Sequence, residues 1–319
     1  AGPRFYLSAK PARILLALML STGLSQALLA EESTPRGFAW PETPSLNFYG
    51  NPGVIDMPSA EMMPDAQFAT SVSSFGGITR MNLQVQALPW VSVAFRYTET
   101  QDRNLFNFGD FYDRNFDLRF RLWQEGRYRP AVAVGLQDLA GTGIYGGEYI
   151  VATKTITPEA LPGQFKLSAG LGWGRLGSSG TVATLGNRPG FTPGDTGGEL
   201  GVDRWFRGDV APFAGIEWRH GRWGVKAEYS TDAYTQETQQ SNVFERKSDF
   251  NFGVEYQASR QLRLGAYYLY GSEFGISAQI QMNPRHPPTP MQVPAPSPVV
   301  PRSTWAQDEA LWTTAWADS

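Results

Sequence analysis

Cysteine is absent from all 319 residues and histidine occurs only twice, at His220 and His286. Without cysteine there are no disulfides, no thiolate metal sites and no lipid-modified cysteine, so an exported chain of this size must be held together by some other means. The two histidines lie apart, one in a tight turn and one in a proline-rich tail, and neither has an evident nucleophile and carboxylate beside it. There is no H-E-x-x-H or G-x-S-x-G string, so zinc hydrolysis and triad chemistry lack their usual parts. The chain is therefore expected not to be an enzyme, with no catalytic residue, metal site or cofactor. Charged residues make up only 18%, and mean hydropathy is −0.32, so no continuous apolar helical core is implied. What is plentiful is glycine (34), proline (23) and aromatic side chains (13%), a mixture that favours strands and turns.

The exception to this pattern is the N-terminus. Arg4, Lys10 and Arg13 precede the apolar run Ile14 to Leu20, and Ala27-Leu28-Leu29-Ala30 places small residues before Glu31. This is the pattern of a secretory signal peptide over residues 1–30. The alternative, a membrane anchor, fits less well because Ser21-Thr22-Gly23 interrupts a stretch that would need about 20 apolar residues to span a bilayer. Cleavage leaves 24 Lys and Arg against 30 Asp and Glu, so nucleic acid is not an expected partner.

From Phe68 onward apolar and polar residues alternate, the signature of a strand with two different faces. Clear runs cover 81–87, 91–98, 116–122, 165–173, 223–229, 250–257 and 274–282. Less regular ones cover 67–75, 130–137, 148–154, 210–219 and 262–270. The total is twelve, an even number, with most strands about nine residues long, as expected for an antiparallel transmembrane β-barrel. A soluble sandwich would alternate too, but the connections argue against it. Leu88-Pro89-Trp90, 124–129, His220-Gly221-Arg222 and 258–261 are short, with Thr155 to Gln164 the longest of that set, whereas 99–114, 138–147, 174–209 and 231–248 are long; the connections near Gly76-Gly77 and Gly271-Ser272 break the trend by being short. Short periplasmic turns opposed by long extracellular loops are how outer-membrane barrels are built.

In such a barrel the polar face looks into the lumen. Gln84, Gln86, Arg96, Asp117, Arg119, Arg121, Lys166, Glu217, Lys226, Glu228, Glu255 and Arg263 are the expected lumen-lining set. Their mixed signs favour mutual pairing over a path for an anionic polymer or solute. Trp90, Trp123, Trp173, Trp218 and Trp223 sit at strand ends or beside turns, where an aromatic girdle would meet the membrane interfaces. The glycine-rich run Gly170 to Gly190 lacks the lysine of a phosphate-binding loop, and reads as a strand that releases a long loop.

After strand twelve the composition changes. Residues 284–304 form a stiff proline-rich linker, and 305–319 read as the start of a further periplasmic region. The expected organisation is a signal peptide over 1–30, a periplasmic lead-in or plug segment over 31–66, an outer-membrane barrel over 67–283, then the linker and the downstream segment.

The lead-in "YGNPGVIDMPSAEMMPDAQF" is too punctuated for a helix and too short for a domain. Together with "ALPWVSVAFRYTE", "FDLRFRLWQEGRYRPAVAVGLQDLAGTGIYGGEYIVATK" and "LGLGWGRLG", it resembles the YjbH family of exopolysaccharide and capsule outer-membrane proteins. The resemblance runs from about Leu46 through Pro284, and the pairing of "GVIDMPSA" with "DLAGTG" is its most specific feature. It implies an outer-membrane protein of a Gram-negative bacterium that takes part in exopolysaccharide or capsule secretion, as conduit or assembly platform. Expected partners are outer-membrane lipid, the polysaccharide and other secretion proteins. Alternatives from other classes are a diffusion porin and a loop-mediated surface adhesin. The resemblance implies no catalytic residues, and Asp56, Met57, Pro58 and Ser59 read as structural.

Overall fold

The computed structural model describes residues 43–101, 111–190, 198, 200–240 and 242–285. The expected signal peptide, the linker from 286 onward and the segment 305–319 lie outside these residues. The chain divides into two units, Ala1–His286 and Pro287–Ser319, and only the first contains described residues.

Twelve long strands form one closed antiparallel sheet. They are β1 (Phe68–Phe75), β2 (Ile78–Leu88), β3 (Val91–Thr100), β4 (Phe111–Trp123), β5 (Ala131–Gln137), β6 (Gly147–Ile156), β7 (Gln164–Gly174), β9 (Gly208–His220), β10 (Trp223–Tyr229), β11 (Phe250–Gln257), β12 (Leu262–Leu269) and β13 (Glu273–Met282). Consecutive members pair all the way round. Closure comes from β1 against β13, with Phe68 opposite Met282 and Phe75 opposite Gly275. No further strand is needed to satisfy an edge, which removes the liability of an open ladder. A thirteenth strand, β8 (Ala183–Leu185), adds three residues to the end of β9 and stands outside the closed ring.

The alternation sorts side chains as a membrane barrel requires. Leu83, Val93, Phe116, Ile150, Leu167, Val225, Phe252 and Ile276 are exposed on the outside, while Gln84, Arg96, Asp117, Thr153, Lys166, Glu228 and Gln279 are buried within. An apolar outer band with a polar interior is the arrangement of a transmembrane β-barrel. Among the described residues no helix is long and apolar enough to cross a membrane.

Short connections such as Pro89-Trp90 and Gly221-Arg222 share one rim, and the long ones share the other together with the two short turns at Gly76-Gly77 and 270–272. Trp90, Trp123 and Trp223 are about half exposed at the short-turn rim, and Trp218 beside them donates to the Pro162 carbonyl. Trp173 departs from the expected girdle. Its strand position points outward, yet it is only 6% exposed, because Phe206 from the long loop after β7 packs edge-on against it at 5.2 Å. The outward aromatics of the long-loop rim are instead tyrosines and phenylalanines, paired as Tyr97 with Tyr112, Tyr229 with Phe250 and Tyr268 with Phe274.

Candidate functional site: the filled lumen

The lumen is occupied by the chain's own lead-in. Residues 43–60 are all buried, and they rise from the short-turn rim, turn at Gly50 and descend again to enter β1. The turn needs glycine: φ is +80° there, and a Cβ would lie 2.4 Å from that of Asn82 on the barrel wall. One isolated bridge, Leu46 with Pro52, cross-links the two limbs, and a second, Gly53 with Pro58, closes a further turn within the descending limb. Asn47 fastens the bend, its Oδ1 accepting from the backbone N–H groups of Tyr49 (3.1 Å) and Asn51 (3.0 Å). Prolines at 44, 52, 58 and 64 remove backbone donors, so this stretch cannot be recruited into the sheet as a strand.

The motif Gly53 to Ala60 forms the main latch. Backbone N–H groups of Ile55 (2.7 Å), Asp56 (3.0 Å) and Met57 (2.9 Å) converge on the carboxylate of Glu228, which also accepts from Asn251 Nδ2 at 3.0 Å. Three successive amides around one carboxylate make a backbone nest for an anion, here filled by a strand side chain. The Asp56 side chain points the opposite way, accepting from the hydroxyls of Tyr234 (2.8 Å) and Tyr270, with the Arg80 guanidinium 3.7 Å away. Asp56, Arg80, Tyr234 and Tyr270 are each 0% exposed. A carboxylate so far from water is stable only with such partners.

Toward the long-loop rim the plug tip is clamped by cations. Tyr49 lies between Arg80 and Arg96, whose guanidinium carbons stand 4.2 and 4.7 Å from its ring centre. Its hydroxyl accepts from Arg175 Nε at 2.8 Å, and Arg175 in turn pairs with Asp232 (2.7 Å) and Glu237 (2.8 Å). Beside this layer Phe48, Val54 and Ile55 of the plug pack with Phe75, Ile78, Phe244, Tyr267 and Leu269 of the wall and loop. Each large apolar side chain so buried contributes about 1.5–3 kcal/mol. Lower down, Met57, Ala60 and Met62 pack on Ala131, Ala133, Tyr149, Val151 and Phe213.

The residues expected to line the lumen mostly serve the plug. Arg96 forms a two-pronged pair with Asp117 (both contacts 3.0 Å), and Asp117 also accepts from Asn51 of the plug at 2.8 Å. Arg119 donates to the carbonyls of Ser59 and Glu61. Lys166 pairs with Glu61 at 2.5 Å. Lys226 bridges Ser45 Oγ (2.5 Å), the Val54 carbonyl (2.7 Å) and Glu255 (2.9 Å). Gln86 accepts from Met63 N–H at 3.1 Å, and Arg263 donates to the Thr43 carbonyl at 3.0 Å. Glu217 pairs with Arg219, which reaches the same Thr43 carbonyl. Gln84 is fully buried on the same wall, and Arg121 sits half-buried near the short-turn rim.

Several members of the latch escaped sequence reasoning. Arg80 and Asn82 continue the inward parity of Gln84 and Gln86, so extending the β2 alternation to its first turn would have found Arg80. Arg175, Asp232, Tyr234 and Glu237 lie in loops, where no periodicity marks a facing direction.

The model of the YjbH family, described as exopolysaccharide biosynthesis protein YbjH, matches residues 45–318, which covers plug and barrel together. The chain belongs to the YjbH family. An uncharacterized lipoprotein YjbH of Escherichia coli (strain K12) is 30% identical over 291 residues, 85% of this chain, and the match spans 39% of that protein's length. Among solved structures, an outer membrane channel from Pseudomonas putida F1 aligns over 72% of this chain and 100% of its own, with 8% identity and a TM-score of 0.38. The outer membrane protein Omp33 of Acinetobacter baumannii aligns over 68% of this chain and 96% of its own, with 6% identity and a TM-score of 0.34.

Proposed function

We propose that this YjbH-family chain is a plugged outer-membrane anchor on which an exopolysaccharide or capsule polymer and other secretion proteins assemble, and that it is not itself the pore. The observation that carries the reading is the occupancy of the lumen by residues 43–60, latched through Asp56 and Glu228. A conduit needs a continuous polar path. Here the inward charges are spent on the plug, and an aromatic cluster packs around its Phe48, Val54 and Ile55. The role is non-catalytic, with the short-turn rim facing the periplasm after signal-peptide removal and the long loops facing outward.

The test is to reconstitute the full-length parent protein into a planar bilayer, with and without the polysaccharide of its own organism. The expected record is silent. Discrete conductance that the polymer blocks would restore the conduit reading. Conductance indifferent to the polymer would favour a small-solute porin. An adhesin would instead lose surface binding when residues 231–248 are deleted, with polymer secretion intact.

A further inference from the structure

The turn between β4 and β5, at the short-turn rim, carries a cluster of charge that the plug does not use. Gly126 N–H closes the turn on the Arg129 carbonyl at 3.0 Å, and Arg127, Tyr128 and Arg129 form its exposed tip. Tyr128 is 87% exposed, more than any other large apolar or aromatic side chain among the described residues. The Arg127 guanidinium lies 5.2 Å from the Tyr128 ring centre, and Arg129 folds back over Gly126, where a Cβ would stand 3.2 Å from its Cγ.

Neither arginine pairs with a carboxylate among the described residues. The turn's own acid, Glu125, is taken by β6: it pairs with Lys154 Nζ at 2.9 Å and accepts from Thr155 N–H at 2.8 Å and Oγ1 at 3.0 Å. Elsewhere on this rim Glu61, Asp65 and Glu217 are paired with Lys166, Arg285 and Arg219, and Glu159 on the neighbouring turn is exposed and joins neither arginine. Two uncompensated cations on a chain of net charge −3 mark a surface for an anion.

Which anion follows from position. The strand entering the turn ends in Leu122 and Trp123, 53% and 46% exposed, and Trp90 on the adjoining turn is 51% exposed and stacked with Phe120 at 6.3 Å. These are the last side chains of the apolar outer band, at the depth where hydrocarbon gives way to headgroups. Trp123 stands opposite Val132 in the ladder, so the turn between them is short and keeps its tip close to that boundary. Guanidinium groups at this depth meet phosphates, which they bind through two parallel N–H···O bonds. A tyrosine, with its apolar ring and polar end, suits the same layer. A soluble acidic partner would have no use for the flanking apolar band.

We propose that the Arg127-Tyr128-Arg129 tip binds the phosphate of an anionic phospholipid, such as phosphatidylglycerol, in the periplasmic leaflet. The leaflet rests on the orientation proposed above, and the phosphate contact does not. The test is native mass spectrometry of the full-length protein released from micelles holding equal amounts of phosphatidylglycerol and phosphatidylethanolamine. The wild type should retain phosphatidylglycerol at least about tenfold in preference, as two arginines near a charged bilayer surface allow. Arg127→Gln combined with Arg129→Gln should bring the two lipids to parity at unchanged melting temperature, and Lys247→Gln at the opposite rim should leave the preference intact. Equal retention by the wild type, or a preference that survives the double substitution, would overturn the proposal. Displacement of the lipid by excess free glycerol phosphate would overturn it too, in favour of a soluble phosphoester. Orientation is read separately, since no cysteine occurs in the 319 residues. Tyr128→Cys, compared with the unsubstituted protein, should react with a membrane-impermeant maleimide only after the outer membrane is permeabilised. Labelling of intact cells with the lipid preference retained would keep the anion site and overturn its periplasmic placement.

Discussion

The two anchors of the plug obey different physics. Near the long-loop rim, Asp56, Arg80 and Glu228 are at most 2% exposed and are held by tyrosine hydroxyls and backbone amides. Near the short-turn rim, Glu61 and Lys166 keep 17% and 9% of their side-chain surface open to water. The deep anchor cannot lose one member without stranding a charge, whereas the shallow one has solvent to fall back on. Position along the barrel axis, more than the number of ion pairs, therefore sets how firmly each end of the plug is held.

Arg80→Ala should separate the anchors most sharply. It leaves Asp56 buried without its cation, and a loss of about 3–5 kcal/mol is expected in urea unfolding from detergent micelles. A loss below about 1 kcal/mol would mean that the tyrosines alone carry Asp56. Glu228→Gln comes next, since the side chain keeps its size but turns one acceptor into a donor facing the plug amides. About 1.5–3 kcal/mol should be lost, and limited proteolysis should begin to cut within residues 43–66. Lys166→Met at the shallow anchor should cost about 1 kcal/mol or less. If it matched Arg80→Ala, the distinction between the anchors would collapse.

The smallest expected effect is a pH response outside the strands. Burial pushes the carboxyl of Asp138 up to about 7, reinforced by Asp113 and Asp117 and opposed by Arg96. A carboxyl whose folded value lies above its unfolded value of about 3.9 binds more protons when folded, so its contribution is complete below pH 4 and is lost as pH rises through 7. Hydrogen exchange of residues 138–146, corrected for intrinsic rate, should show opening that becomes easier between pH 4 and 7. Asp138→Asn should flatten that dependence; an unchanged slope would assign it to another group.

The barrel was largely legible before the structure, because alternation reports on facing direction residue by residue. Strands expected at 223–229 and 250–257 lie at those bounds, and β4 was found from its middle although it extends back to Phe111. The plug left a trace that is clear only afterwards. The runs that alternated poorly, such as β6 and β9, carry Tyr149, Val151 and Phe213 inward, where they meet Met57, Ala60 and Met62. Apolar inward positions break the pattern of a wet lumen, so irregular alternation was the signature of something packed inside. Trp173 shows the converse limit, since periodicity gave its direction but not the loop residue that covers it. The latch partners on loops left no periodic signal at all, because a loop has no repeating face.

Both limbs of the plug pass through the same rim. The upward limb starts beside Arg219 and Arg263, and the downward limb ends where β1 begins, with Asn283 after the last strand donating to the Asp65 carbonyl at 3.0 Å. A segment arranged in this way leaves its cavity as a bight of rope leaves a ring, with no loose end to be threaded. Once the contacts of the plug with the wall are released, extraction requires neither opening the β1–β13 seam nor breaking the chain.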